Sequence, residues 1–167
     1  RASGILWGVG NENADTDARL AFMRGLTDAA RAEDPSRLVT AACLINRETF
    51  RIEDRLAEHL DVIGLNQYFG WYEPGFEGLE RLLKNSDPDR PVVISETGAD
   101  ALAGMHGPDT QLFTEEYQAK VLTRQVEIAA RADYVAGVFV RLLYDFRTDR
   151  RQTRRQRGWH LKGVVAA

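Results

Sequence analysis

Residues 91–100 read Pro-Val-Val-Ile-Ser-Glu-Thr-Gly-Ala-Asp. Pro91 to Ile94 form a short apolar run of the kind used by a strand buried on both faces. The run stops at Ser95 and Glu96, with a glycine two residues on. A carboxylate at the mouth of a buried strand is costly to desolvate unless something pairs with it or uses it. The pattern recurs along the chain. Gly10-Asn11-Glu12-Asn13 closes the apolar run Ile5–Val9, and Asn66-Gln67-Tyr68 closes Val62–Leu65. Asp145 and Phe146 follow Val135–Val140, and Leu38–Ile45 supplies a further apolar run. Several strands thus deliver a carboxylate, an amide or a phenol at the same end.

Helical spacing fills the intervals. Leu20, Met23 and Leu26 share one face, with Asp15, Thr16 and Asp17 as capping residues. The spacing of Ile52, Leu56 and His59/Leu60 predicts a second helix over 49–60, and Phe76, Leu79, Leu82 and Leu83 predict a third over 75–84. A fourth opens at Thr114, with Glu115 and Glu116 in its first turn and Tyr117, Val121, Leu122, Gln125 and Ile128 following. Strands alternating with helices at roughly thirty-residue intervals imply an α/β fold with a parallel sheet. A doubly wound sheet would carry a glycine-rich phosphate loop after an early strand, and no such pattern occurs. The remaining architecture is the (β/α)8 TIM barrel, whose active residues sit at the C-terminal strand ends. A full barrel needs about 250 residues, so 167 residues holding five strands make a little over half of one. Residues 1–167 read as a single partial domain, and both ends suggest a piece of something larger.

The bulk composition narrows the function. A net charge of −3 gives general nucleic-acid binding no support. No apolar stretch is long enough to span a bilayer. The lone Cys43 lies in an apolar run and reads as a buried thiol, which suits a reducing, cytoplasmic compartment. Three scattered histidines and one cysteine offer no metal-ligand spacing, so neither a metal nor another cofactor is expected. His59 and His106 receive no role.

Two carboxylates on separate strands, facing each other across a barrel mouth, suit glycoside hydrolysis. One attacks while the other protonates the leaving oxygen, and a retaining enzyme holds them about 5–5.5 Å apart. The residues here resemble a known family. Gly10-Asn11-Glu12, Leu65 to Tyr72 (Leu-Asn-Gln-Tyr-Phe-Gly-Trp-Tyr) and Ile94 to His106 look like family 2 glycoside hydrolases of the β-glucuronidase branch. Thr114 to Gln118, Tyr144 to Thr148 and the closing Leu161-Lys162-Gly163 extend the likeness over nearly the whole chain, in order.

The resemblance implies strands four to eight of the catalytic barrel, with Glu12 as acid/base and Glu96 as nucleophile. Asn11 would bond the sugar 2-hydroxyl. Tyr68 and Tyr72 would line the sugar site, Tyr68 orienting Glu96. Two positions depart from the family. It carries a tryptophan four residues before the Asp-Phe pair, where this chain has Arg141. Arg141 stands either as a ligand for an acidic sugar or as an ion-pair partner of Glu96 or Asp145. The family's Asn-x-Lys-Gly motif for the substrate carboxylate becomes His160-Leu161-Lys162-Gly163. Lys162 could still pair with a uronate and His160 donate to it, leaving uronate and neutral β-galactoside-like sugars both open.

The run from Arg147 to Arg157 holds six arginines in eleven residues and reads as a solvated loop, an anionic-substrate loop or a nucleic-acid contact. Trp71 and Trp159 each read as loop packing or sugar contact, with packing ahead for Trp71. A half barrel leaves its outer strands as open edges, so the chain is expected to need the N-terminal barrel half or to oligomerise. The rival to an enzyme is a non-catalytic sugar-binding or half-barrel interaction module that keeps the carboxylates.

Overall fold

The computed structural model describes residues 4–165. Its central sheet has five strands in the order β1 (Leu6–Asn11), β2 (Leu38–Cys43), β5 (Val62–Asn66), β6 (Val92–Thr97) and β7 (Val135–Val140). Every neighbouring pair is parallel. Two short antiparallel ribbons lie outside it, β3 (Ile45–Asn46) with β4 (Arg51–Ile52), and β8 (Phe146–Arg147) with β9 (Trp159–His160). This is the expected α/β arrangement, five consecutive units of a parallel barrel wall.

The middle strand explains why the sheet forms. All of Val62–Asn66 is buried, which fits a parallel strand covered on both faces. The helices α1 (Asp17–Glu33), α2 (Glu77–Asn85) and α3 (Glu115–Ala129) follow β1, β5 and β6. Thr16 caps α1 by accepting from the Arg19 amide at 3.1 Å, and Thr114 does the same for α3 through the Tyr117 amide. Leu79, Leu82 and Leu83 turn from α2 into one core with Leu56, Leu65, Val92 and Ile94. Burying each leucine contributes about 1.5–3 kcal/mol, so Leu79→Ala would cost roughly 2–5 kcal/mol. Cys43 joins the same core, and burial pushes its thiol up to about 12.

Two helical expectations need correction. On α1, Met23 is buried, but Leu26 faces outward and Arg19 and Thr27 take its place inside. Residues 49–60 form no α-helix. They make the strand β4 and a single 3-10 turn, Arg55–His59. The cause is Asp54, whose carboxylate binds the buried Arg19 guanidinium through two bonds and accepts from the amides of Leu44 and Leu56. That anchor holds the chain extended as far as Asp54 and starts the turn there.

The strand register shifts where the polar tips begin: between Gly8 and Asn11, between Leu65 and Asn66, and between Ile94 and Thr97. Such irregularities re-aim side chains at sheet ends. β1 pairs only with β2, and β7 only with β6, so both outer edges lack a neighbouring strand among the described residues.

Candidate active site

The ends of β1, β5, β6 and β7 place polar side chains at the same end of the sheet. From β1 come Asn11 and, just past it, Glu12, whose amide still bonds the Ala42 carbonyl at 2.9 Å. Glu12 has φ of 50°, a left-handed conformation that turns the chain out of the strand. β6 holds Glu96 opposite Asn66 of β5 in the ladder. Gly98 lies so close to β7 that a Cβ there would meet the Arg141 carbonyl oxygen at 2.6 Å. The absent side chain lets the β6 end approach the residue that follows β7.

These side chains surround one cavity of about 710 Å³. Asn11, Glu12, Tyr68, Tyr72, Glu96, Arg141 and His160 all line it, so seven of the eight residues expected at a sugar site come together. Glu96 is held from both sides. The Tyr68 hydroxyl donates to Oε2 at 2.7 Å, and Arg141 Nη1 donates to Oε1 at 2.7 Å. Of the two partners proposed for Arg141, Glu96 is therefore the one it binds. Burial first, and then its bond to Glu96, push the Tyr68 phenol far up, so it stays a donor.

Asn66 joins the two carboxylate-bearing tips. Its Nδ2 donates to Asn11 Oδ1 at 2.8 Å and, more weakly, toward Glu12 Oε2 at 3.4 Å. Its Oδ1 accepts from Ser95 Oγ at 2.8 Å. Asn66 was legible only as part of a strand-end turn; an amide closing a wholly buried strand was the signal for more.

Lys162 departs from the expectation of a substrate ligand. It is 1% exposed, and its Nζ lies 2.5 Å from Asp100 Oδ1 and 2.9 Å from the Tyr72 hydroxyl. The rings of Tyr68, Trp71 and Tyr72 surround the ammonium at 4.5–5.5 Å. Its charge is committed to Asp100, so it supports the wall from behind and does not line the cavity. Arg151, from the arginine-rich run, does line it, and bonds the Tyr72 hydroxyl at 2.5 Å. Tyr72 therefore accepts from two cations and keeps its own O–H to donate.

His160 stacks on Phe146 with centroids 4.9 Å apart and planes at 10°. Burial, and then the charge of Lys162, pull its imidazole down to about 4. Its Nδ1 is buried with no partner. Trp71 packs edge-on against Phe113 with centroids 5.1 Å apart. Among the described residues no group of histidine, cysteine and carboxylate side chains could hold a metal ion.

A parallel α/β barrel wall with carboxylates, amides and phenols at its C-terminal strand ends defines the class of barrel enzymes with strand-tip sites. The model of the family described as glycosyl hydrolases family 2, TIM barrel domain, matches residues 1–165, and this chain belongs to that family. It is 37% identical over 159 residues to a beta-glucuronidase of Paenibacillus borealis, an alignment covering 90% of this chain and 26% of that one. The human beta-glucuronidase is 31% identical over 162 residues, with 90% and 24% covered. Among solved structures, a GH2 beta-galacturonidase from Eisenbergiella tayi bound to galacturonate superposes with a TM-score of 0.82 at 26% identity, over 98% of this chain and 30% of the other. A beta-D-glucuronidase of Dictyoglomus thermophilum gives 0.80 at 29%, over 97% and 28%. The chain spans about a quarter of the length of the curated relatives it matches.

Proposed function

We propose that this chain carries the catalytic half of a retaining β-glycosidase acting on β-glucuronides or related β-glycosides. The observation that carries the proposal is Glu96, held at a strand tip by Tyr68 and Arg141 in a cavity that Glu12 also lines. Each oxygen of a carboxylate has two lone pairs, so both bonds leave Glu96 an electron pair for attack. In the first step a Glu96 oxygen bonds the anomeric carbon as the bond to the leaving oxygen breaks, and Glu12 gives that oxygen its proton. In the second, water attacks the same carbon, Glu12 takes the water's proton, and Glu96 leaves as carboxylate. Asn11 and Tyr72 would meet sugar hydroxyls, and His160, stacked on Phe146, would form part of the cavity wall.

Charge favours an acidic sugar. Three arginines, Arg141, Arg150 and Arg151, line the cavity against two glutamates. The relatives named as glucuronidases and galacturonidase are consistent with this preference. The open outer edges of β1 and β7, with Trp7 and Phe139 exposed, support a requirement for the remaining barrel half or a second copy. The single, buried Cys43 supports a cytoplasmic setting, which fractionation of the source cells would check.

One observation favours the rival reading, a sugar-binding module without turnover: the Arg141 ion pair occupies the nucleophile. The deciding experiment is intact mass after incubation with aryl β-glucuronide and β-galactoside in which fluorine replaces the 2-hydroxyl, which slows release of the glycosyl-enzyme. A glycosyl-sized gain on the Glu96 peptide is expected, with the glucuronide. No gain on folded protein supplied with the rest of the barrel would sink the proposal.

A further inference from the structure

The arginine-rich loop between β8 and β9 has two faces. Arg150 and Arg151 border the cavity of Glu12 and Glu96. Arg154, Arg155 and Arg157 instead border a second cavity of about 670 Å³, a volume in the range of small-molecule sites. Its floor is apolar: Leu102 from the segment after β6, and Trp159 and Leu161 from the β9 region. Gln156 is the one uncharged polar side chain in the lining, and no carboxylate is present there.

The loop is built rather than loosely draped. The Gln156 amide donates to Asp100 Oδ2 at 2.5 Å and is buried. Thr148 and Arg151 exchange backbone bonds with Gly158, and Arg157 and Gly158 both take positive φ. Arg155 lies over the Phe113 ring at 5.0 Å and reaches the Leu112 carbonyl. Arg154 and Arg157 are exposed, and among the described residues no carboxylate bonds either guanidinium. Arg154 and Arg157, with Arg147 held 5.0 Å over the Trp159 ring, stand beside an apolar and aromatic lining that holds no carboxylate, which selects an anion borne on a ring with an apolar face. The ring packs beside Trp159 and on Leu102 while the anion takes the planar guanidinium forks.

We propose that this cavity is an accessory binding site for an anion-bearing ring, either a uronate of an acidic glycan or an aromatic acid. It is separate from the cavity of Glu12 and Glu96 and does not depend on their being catalytic. Two probes distinguish the sources: a saturated diuronate disaccharide and naphthalene sulfonate. Each is titrated into the intact protein labelled with fluorotryptophan, and the Trp159 fluorine signal is assigned by its loss in Trp159→Phe. The expected result is a saturable shift of the Trp159 signal, with affinity falling roughly tenfold or more when Arg154 and Arg157 are both changed to glutamate. Response to the disaccharide alone makes the ligand an acidic glycan, and to the sulfonate alone an aromatic acid. Absence of a saturable Trp159 shift with either probe overturns the site, as does an affinity unchanged by the double substitution. Because the Trp159 signal is read on unsubstituted protein first, misfolding of the variant does not shield the proposal. Glu96→Gln leaves the response intact if the two sites are distinct, whatever becomes of the glycosidase reading.

Discussion

Arg141 Nη1 stands 2.7 Å from Glu96 Oε1, bridging the end of β7 to the end of β6. The pair is partly exposed, so its net contribution to stability is small. Its consequence is positional. Together with Tyr68 on the other oxygen, Arg141 fixes the plane of the Glu96 carboxylate at the mouth of the barrel wall. A guanidinium also gives no broad apolar face for a sugar ring, so under the proposed function recognition would fall more heavily on hydrogen bonds and charge.

Replacing Arg141 with methionine is expected to lower turnover of the preferred β-glycoside, by about a hundredfold where Glu96 loses its attacking geometry. Tyr68→Phe should act in the same direction, since each change frees one carboxylate oxygen. Steady-state rates on folded variants check this. A faster Arg141→Met enzyme would mean that the ion pair restrains the nucleophile, and would favour the binding-module reading of the native chain.

Asn66 links three side chains from a position only 3% exposed. Asn66→Ala leaves Ser95 Oγ and Asn11 Oδ1 without their partner and should destabilise the fold by about 1–3 kcal/mol. Ser95→Ala removes a single bond and should cost only about 1 kcal/mol. Denaturant unfolding of the two variants gives the comparison. Equal losses would show that the Asn66–Asn11 bond contributes nothing measurable.

The strand tips were readable because a strand buried on both faces is an unbroken apolar run, so its polar end stands out. Ile94-Ser95-Glu96 and Leu65-Asn66-Gln67-Tyr68 both announce themselves this way. Residues 49–60 misled because Ile52, Leu56 and Leu60 recur at helical spacing, while the deciding contact, Asp54 with Arg19, spans 35 residues. The burial of Lys162 was hidden for the same reason. Its partner Asp100 is 62 residues away, and nothing local to the lysine signals burial. Periodicity reports which face is apolar; it carries no record of which charge a distant residue neutralises.

His160 should make the fold acid-sensitive. Its folded-state value, about 4, lies below the 6.5 of the free side chain. Between those values the unfolded chain binds the extra proton, so stability rises with pH across the window and is lost as pH falls from about 6.5 toward about 4. His160→Asn should flatten that part of the profile. Unfolding free energies measured at several pH values for both proteins test it, and parallel profiles would show that His160 is not the group responsible.

Lys162 gives the sharpest contrast between the two roles open to it. A lysine that merely contacts the substrate carboxylate can be removed with little loss of stability, at the cost of a higher KM for uronides. The ammonium here is instead sealed against Asp100, with side chains 0% and 1% exposed. Removing one member of a buried pair strands the other charge and costs about 3–5 kcal/mol. Lys162→Met is therefore expected to lower the unfolding free energy by that amount. Asp100→Asn, which keeps an acceptor for the Gln156 amide, should rescue part of the loss in the double variant, with a coupling of roughly 1–3 kcal/mol. A thermodynamic cycle on the four proteins measures it. Native-like stability in Lys162→Met, joined to a raised KM for a glucuronide, would return Lys162 to the sugar site and mean that Asp100 releases it when substrate binds.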